Sequence, residues 1–218
     1  MSSHRSIERV GSTAGRVLVL LPGYADRPER LLDRVDEFDP DGRWTVVALE
    51  PIRSMDAGPY WYEVTDRGPD DDQVDAAVAH VLAACASIAT ANGIPVSSLV
   101  LAGFSQGGAL ALATVLDPSA VEVPGAIAVL AGYLPPRTDD ALDLGRAAGR
   151  PALLAHGADD EVVATVRGRS AARALQRAGA LVSWAEVDAG HRFAGPLLEP
   201  LREWLAALAR DEHPVAPI

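Results

Sequence analysis

The 218-residue chain contains no lysine; all 19 of its basic residues are arginine. A Walker-type phosphate loop and a Schiff-base nucleophile both depend on a lysine amine, so neither chemistry is open to this chain. Cysteine is almost as scarce. Cys85 stands alone, so no disulfide can close within the chain, which suits a reducing compartment. No unbroken apolar run approaches the ~20 residues that cross a bilayer. The start of the chain, Met1-Ser2-Ser3-His4-Arg5, is polar and has no signal-peptide apolar core. A cytoplasmic protein without a membrane span is expected. The formal net charge of −11 argues against nucleic acid or an anionic membrane as the main partner.

What the chain does have is enough apolar residue, 49%, against 22% charged, to build one well-buried α/β domain over residues 1–218. Residues 1–15 carry little pattern beyond a possible edge strand at Ser6–Val10, and 211–218 read as a tail. Unbroken apolar runs mark strands at Arg16–Leu21, Trp44–Leu49, Leu99–Ala102, Gly125–Ala131, Ala152–His156 and Leu181–Val187. Helices are expected over Arg27–Phe38, Asp72–Asn92, Ala109–Leu116, Gly168–Ala178 and Gly195–Arg210. In Asp72–Asn92, for example, Val74, Val78, Val81, Leu82, Cys85 and Ile88 recur at helical spacing, and Gly93 stands where a C-terminal cap belongs. Glu50–Asp72, rich in proline, glycine and aromatics, reads as a long loop. Such an alternation predicts an α/β fold: a doubly wound, mostly parallel sheet of six to seven strands with helices on both faces. Ligands bind such sheets at the carboxyl ends of the strands.

Gly103-Phe104-Ser105-Gln106-Gly107-Gly108 sits between a strand and a helix, the setting in which G-x-S-x-G presents a nucleophilic serine. A serine hydroxyl needs an imidazole to take its proton and a carboxylate to orient that imidazole. Five histidines compete for the base. His4 and His213 lie in the polar ends, His80 lies within a helix, and His156 closes a strand beside Gly157, where it suits a structural role. His191, in Ala189-Gly190-His191 after the last strand, is the candidate. Asp159 and Asp160 follow the strand before it, in the order Ser…Asp…His; Asp188 reads as a turn residue. The backbone N–H groups of Gln106 and of Tyr24, on the loop after the first strand, are the candidate oxyanion donors. Met55, Trp61, Tyr62, Leu134 and Phe193 are candidates for an apolar acyl wall.

The elbow, His156-Gly157-x-x-Asp160-x-x-Val163 and Gly190-His191 together resemble the phospholipase/carboxylesterase family of α/β-hydrolases, the group that includes acyl-protein thioesterases. The likeness covers about residues 16 to 210. It implies the α/β-hydrolase fold without a large lid domain, a serine hydrolase of esters or thioesters, no metal and no cofactor. It places the acid at Asp160 rather than Asp159, and an aromatic residue near the site at Trp61. One segment departs from the family pattern: where Leu-His-Gly-x-Gly-Asp is common, this chain has Leu21-Pro22-Gly23-Tyr24-Ala25-Asp26. The expectation is a serine carboxylesterase with an open site for short- to medium-chain esters, Ser105 attacking, His191 shuttling the proton and Asp160 orienting it. Against it stands a non-catalytic module of the same fold that binds an apolar ligand or a protein, motivated by the altered loop. An amide substrate would use the same residues.

Overall fold

A computed structural model describes residues 6–13, 15–66, 68–137, 141–212, 215 and 218. His4 and His213 lie outside the described residues. Along the chain come β1 (Ser6–Arg9), β2 (Val17–Leu21), helices α1 (Pro28–Leu32) and α2 (Val35–Phe38), and β3 (Thr45–Leu49). Two small hairpins follow, β4 (Arg53–Met55) with β5 (Gly58–Tyr60) and β6 (Val64–Thr65) with β7 (Gly68–Pro69). Next are α3 (Asp71–Ala91), β8 (Val100–Phe104), α4 (Gln106–Val115), β9 (Ala126–Leu130), β10 (Pro151–Gly157), α5 (Thr165–Arg177), β11 (Leu181–Val187) and α6 (Glu199–Leu208).

Seven strands form one sheet in the order β1-β3-β2-β8-β9-β10-β11, parallel throughout except for β1, which pairs antiparallel with β3 at the edge. From β2 the chain moves outward to β3, then returns to place β8 on the other side of β2. The direction of winding reverses there, which opens a crevice at the carboxyl ends of β2 and β8.

Alternation along each strand divides the core in two. Val17, Val19 and Leu21 of β2 face α3, α4 and α5, whereas Leu18 and Leu20 face α1, α2 and α6. Both faces are fully covered, which is why the strands read as unbroken apolar runs. Each such buried Leu or Val contributes roughly 1.5–3 kcal/mol by leaving water.

Three expectations are corrected. The Glu50–Asp72 segment is not a bare loop; it folds into the β4–β5 and β6–β7 hairpins, too short to show an alternating pattern. The single helix expected over Arg27–Phe38 divides at Asp33-Arg34. The last helix cannot run through Pro200, whose ring would clash with the backbone four residues earlier. A 3₁₀ turn at Gly195–Leu197 precedes it, and α6 starts afresh with Pro200 in its first turn. Apart from these, Asp71–Asn92 is long and apolar enough, by length and composition alone, to cross a bilayer. In this fold it is a core helix, burying Val74, Ala77, Val78, Val81, Ala84, Cys85 and Ala89.

Candidate active site

The elbow between β8 and α4 is forced by close packing. A Cβ on Gly103 would stand 2.2 Å from the Gly107 carbonyl oxygen, and one on Gly107 would stand 2.2 Å from that of Leu21. Between them Ser105 takes φ +53°, ψ −117°, a conformation that costs a non-glycine residue about 1–3 kcal/mol and persists only where the surroundings enforce it. Its N–H donates to the Leu130 carbonyl at 2.9 Å, tying the turn to β9.

The imidazole of His191 lies over the elbow, its ring centroid 4.9 Å from that of Phe104. His191 Nε2 is 2.9 Å from Ser105 Oγ, and His191 Nδ1 is 2.7 Å from Asp160 Oδ2. A carboxylate can only accept, so Nδ1 carries the proton and Nε2 is left as an acceptor for the serine hydroxyl. The Asp160 side chain is wholly buried. Its Oδ1 accepts from the N–H groups of Val162 (2.9 Å) and Val163 (2.8 Å), so the carboxylate is held at both oxygens. Asp159, one residue earlier, and Asp188 are both exposed.

His156 supports this loop from below. Its Nε2–H donates to the Val163 carbonyl at 2.8 Å and approaches Asp160 Oδ2 at 3.3 Å, and its ring stacks on Trp184. Burial lowers its pKa below the ordinary histidine value, against the opposing pull of the Val163 carbonyl and the Asp160 charge. The ring also explains a glycine inside a helix: a Cβ on Gly168 of α5 would stand 2.3 Å from His156 Nδ1. Glycine is a poor helix residue, yet it lies inside α5, which starts at Thr165, three residues before the expected Gly168. His80, on α3, lies beside the Trp61 ring.

Across from His191, the Gly23-Tyr24 backbone passes directly by the elbow. A Cβ on Gly23 would stand 3.1 Å from the Phe104 ring and 3.4 Å from Ser105 Cβ. Ala25 occupies the left-handed region at φ +57°, the conformation that glycine adopts most readily. The turn is closed by the Asp26 N–H donating to the Gly23 carbonyl at 3.3 Å. The first hairpin braces it: Gly58 packs on Ala25 so tightly that a Cβ would stand 2.7 Å from the Ala25 carbonyl oxygen. The Tyr24 hydroxyl donates to Met55 Sδ at 3.1 Å, and its ring leans on Tyr60. On the elbow side, Gln106 is the first residue of α4, where backbone N–H groups have no helical partner.

The Gln106 side chain is buried and joins these parts. Its Oε1 accepts from the Trp61 N–H at 3.0 Å and its Nε2 donates to the Tyr62 carbonyl at 2.7 Å. The Trp61 indole N–H in turn donates to the Pro22 carbonyl at 2.8 Å. Trp61 is therefore a strut between elbow and loop, with no exposed surface to offer a substrate. Tyr62 is also buried, and that burial pushes its phenol well above the ordinary value.

A cavity of about 590 Å³ opens onto Ser105 and His191. Of the residues expected to wall it, Phe193 does so; Met55, Trp61, Tyr62 and Leu134 do not. Met55 stands behind Tyr24, and Leu134 lines a second cavity of about 240 Å³ with Tyr133 and Arg167. The walls of the main cavity are instead charged, formed by Asp26, Arg30, Asp33, Arg34 and Arg192, with Phe104 and Phe193 as its apolar strip. Sequence reasoning passed over these five. Four of them come from the segment after β2, whose only visible signal is that it leaves the carboxyl end of a strand next to the site.

The family model for phospholipase/carboxylesterase matches residues 3–209. The chain belongs to the phospholipase/carboxylesterase family. A probable carboxylesterase, SOBER1-like, of Arabidopsis thaliana is 30% identical over 84% of this chain and 73% of its own. Among solved structures, the Bacillus cereus carboxylesterase superposes with a TM-score of 0.81 at 18% identity, covering 93% of each chain. The Zea mays acyl-protein thioesterase 2 gives 0.73 at 24% identity, over 94% of this chain and 99% of the other. At those identities the two structures speak for the fold: α/β-hydrolase, with no large lid domain. Family membership makes this chain a carboxylic ester hydrolase.

Proposed function

We propose that the protein hydrolyses carboxylic esters of short to medium acyl chain through an acyl-enzyme on Ser105. The carrying observation is the pair of contacts at His191, 2.9 Å to Ser105 Oγ and 2.7 Å to Asp160 Oδ2. Ser105 Oγ attacks the carbonyl carbon while its proton passes to His191 Nε2. The oxyanion that forms accepts from the N–H groups of Gln106 and Tyr24, each such donor being worth about 10²–10³ in kcat. Collapse expels the alcohol, which takes the proton back from His191. Water then attacks the acyl carbon, gives its proton to His191, and releases the acid and free Ser105. Asp160 holds the imidazole in the tautomer that can accept from serine and stabilises the imidazolium that forms in both halves.

The non-catalytic alternative was motivated by the altered loop at Pro22–Asp26. Ala25, which stands where the family pattern has its second glycine, takes the left-handed region that glycine adopts readily, and this favours the catalytic reading. Hydrolysis of p-nitrophenyl butyrate by the wild type and by Ser105→Ala is the test. The wild type is expected to turn over and the variant to lose at least about 10⁴-fold in kcat; equal rates would end the proposal.

A further inference from the structure

The cavity at Ser105 bears on which part of an ester it receives. His191 must hand its proton to the leaving oxygen, so the alcohol portion of the substrate starts at His191. The residues that continue from His191, Arg192 and Phe193, line the cavity, and so do residues of α1 and its flanks. That lining is of mixed sign. Arg30 pairs with Asp26 at 3.7 Å, and Arg34 with Glu37 at 2.7 Å. Arg192 and Asp33 have no side-chain partner among the described residues. One unpartnered donor fork and one unpartnered acceptor therefore face the same space, with no net charge left over for an ion to neutralise.

From this we infer that the alcohol portion of the ester is a neutral polyol, such as a sugar or glycerol unit, held between Arg192 and Asp33. A hydroxyl group both donates and accepts, so adjacent hydroxyls can satisfy a guanidinium and a carboxylate together. An alkyl alcohol would strip water from these charged groups and return no hydrogen bond. The Phe104 and Phe193 rings, which also line the cavity, suit the C–H face of such a unit. The inference rests on the proposed esterase activity and goes beyond it by naming the alcohol.

The test is a matched pair of butyrate esters, methyl 6-O-butyryl-glucoside and cyclohexylmethyl butyrate, which share the acyl group, the linking carbon and a six-membered ring. Released butyrate gives kcat/KM for each. The glucoside is expected to be preferred at least about tenfold, the effect of one or two well-placed hydrogen bonds. Asp33→Asn and Arg192→Gln should each bring that ratio toward one. Both side chains are exposed, and the ratio is an internal control for loss of folded enzyme. Equal or better hydrolysis of the cyclohexylmethyl ester overturns the inference, as does a ratio that neither variant moves. Preference for O-butyrylglycolate over its uncharged amide overturns it in favour of an anionic alcohol. Turnover of p-nitrophenyl butyrate by the same preparation separates the two levels: with it, such results refute only the polyol; without it, the esterase proposal itself fails.

Discussion

The elbow and the loop facing it make up the two sides of one site, and they are built in opposite ways. At Gly103, Gly107 and Gly108 backbone contacts of 2.2 to 3.0 Å leave no room for a side chain. Along Tyr24–Arg34 the side chains of Tyr24, Arg30, Asp33 and Arg34 are exposed, Arg30 pairs with Asp26 only at 3.7 Å, and a left-handed alanine stands where a glycine would be unstrained. The first region holds Ser105 in a single geometry. The exposed charged side chains of the second can change without entering those contacts, which is where the proposed choice of alcohol would be made. The same contrast holds beneath the site: Asp160 touches both His191 and His156, one imidazole turned toward Ser105 and the other locked in the interior.

Several changes would break or sharpen this contrast. The largest effect is expected at the acid. Asp160→Asn should lower kcat by about 10⁴-fold by favouring the wrong His191 tautomer, whereas Asp159→Asn should leave p-nitrophenyl butyrate turnover within about twofold. A comparable loss in Asp159→Asn would reassign the acid. Next is Gly107→Ala, which drives a methyl into the Leu21 and Pro22 carbonyls. Overpacking of this kind costs about 3 kcal/mol or more, visible as a fall in Tm of roughly 6–12 °C, and an unchanged Tm would show the elbow is not rigid.

A smaller effect is expected from His156. Its folded pKa lies below the ordinary 6.5 because of burial, so the unfolded chain binds the proton first as pH falls. Stability therefore decreases as pH drops through the unfolded value toward the folded one. The urea midpoint should fall between pH 7 and pH 5, and fall less steeply in His156→Gln; equal slopes would remove His156 from the account. The smallest is Ala25→Gly, which relieves a left-handed alanine but loosens the unfolded chain. A net gain of at most about 1 kcal/mol is expected, with kcat retained. A large loss of activity there would mean that the loop needs the methyl group to hold its shape.

What could be read from the sequence follows the same division. The six buried strands, Ser105, the order Ser…Asp…His and the fold class were legible because they rest on unbroken apolar runs, forced glycines and short-range spacing. The division between Asp159 and Asp160 was not legible in spacing, since one backbone step exchanges them, and came only from the family resemblance; the two Val N–H groups that hold Asp160 have no signature in composition. Trp61 was placed near the site correctly but given the wrong surface. Its indole hydrogen bond to Pro22 spans 39 residues, a tertiary contact that no local pattern reports. The charged wall was missed for the same reason: Arg192 and Asp33 are 159 residues apart in the sequence and line one cavity only through the fold.

Labelling with a fluorophosphonate probe tests the central claim most directly, since capture requires a serine hydroxyl activated by its neighbours. One probe per chain is expected, on the peptide containing Ser105, with the rate reduced by orders of magnitude in His191→Ala. A folded protein that stays unlabelled at Ser105, or one that labels equally fast without His191, would contradict the account.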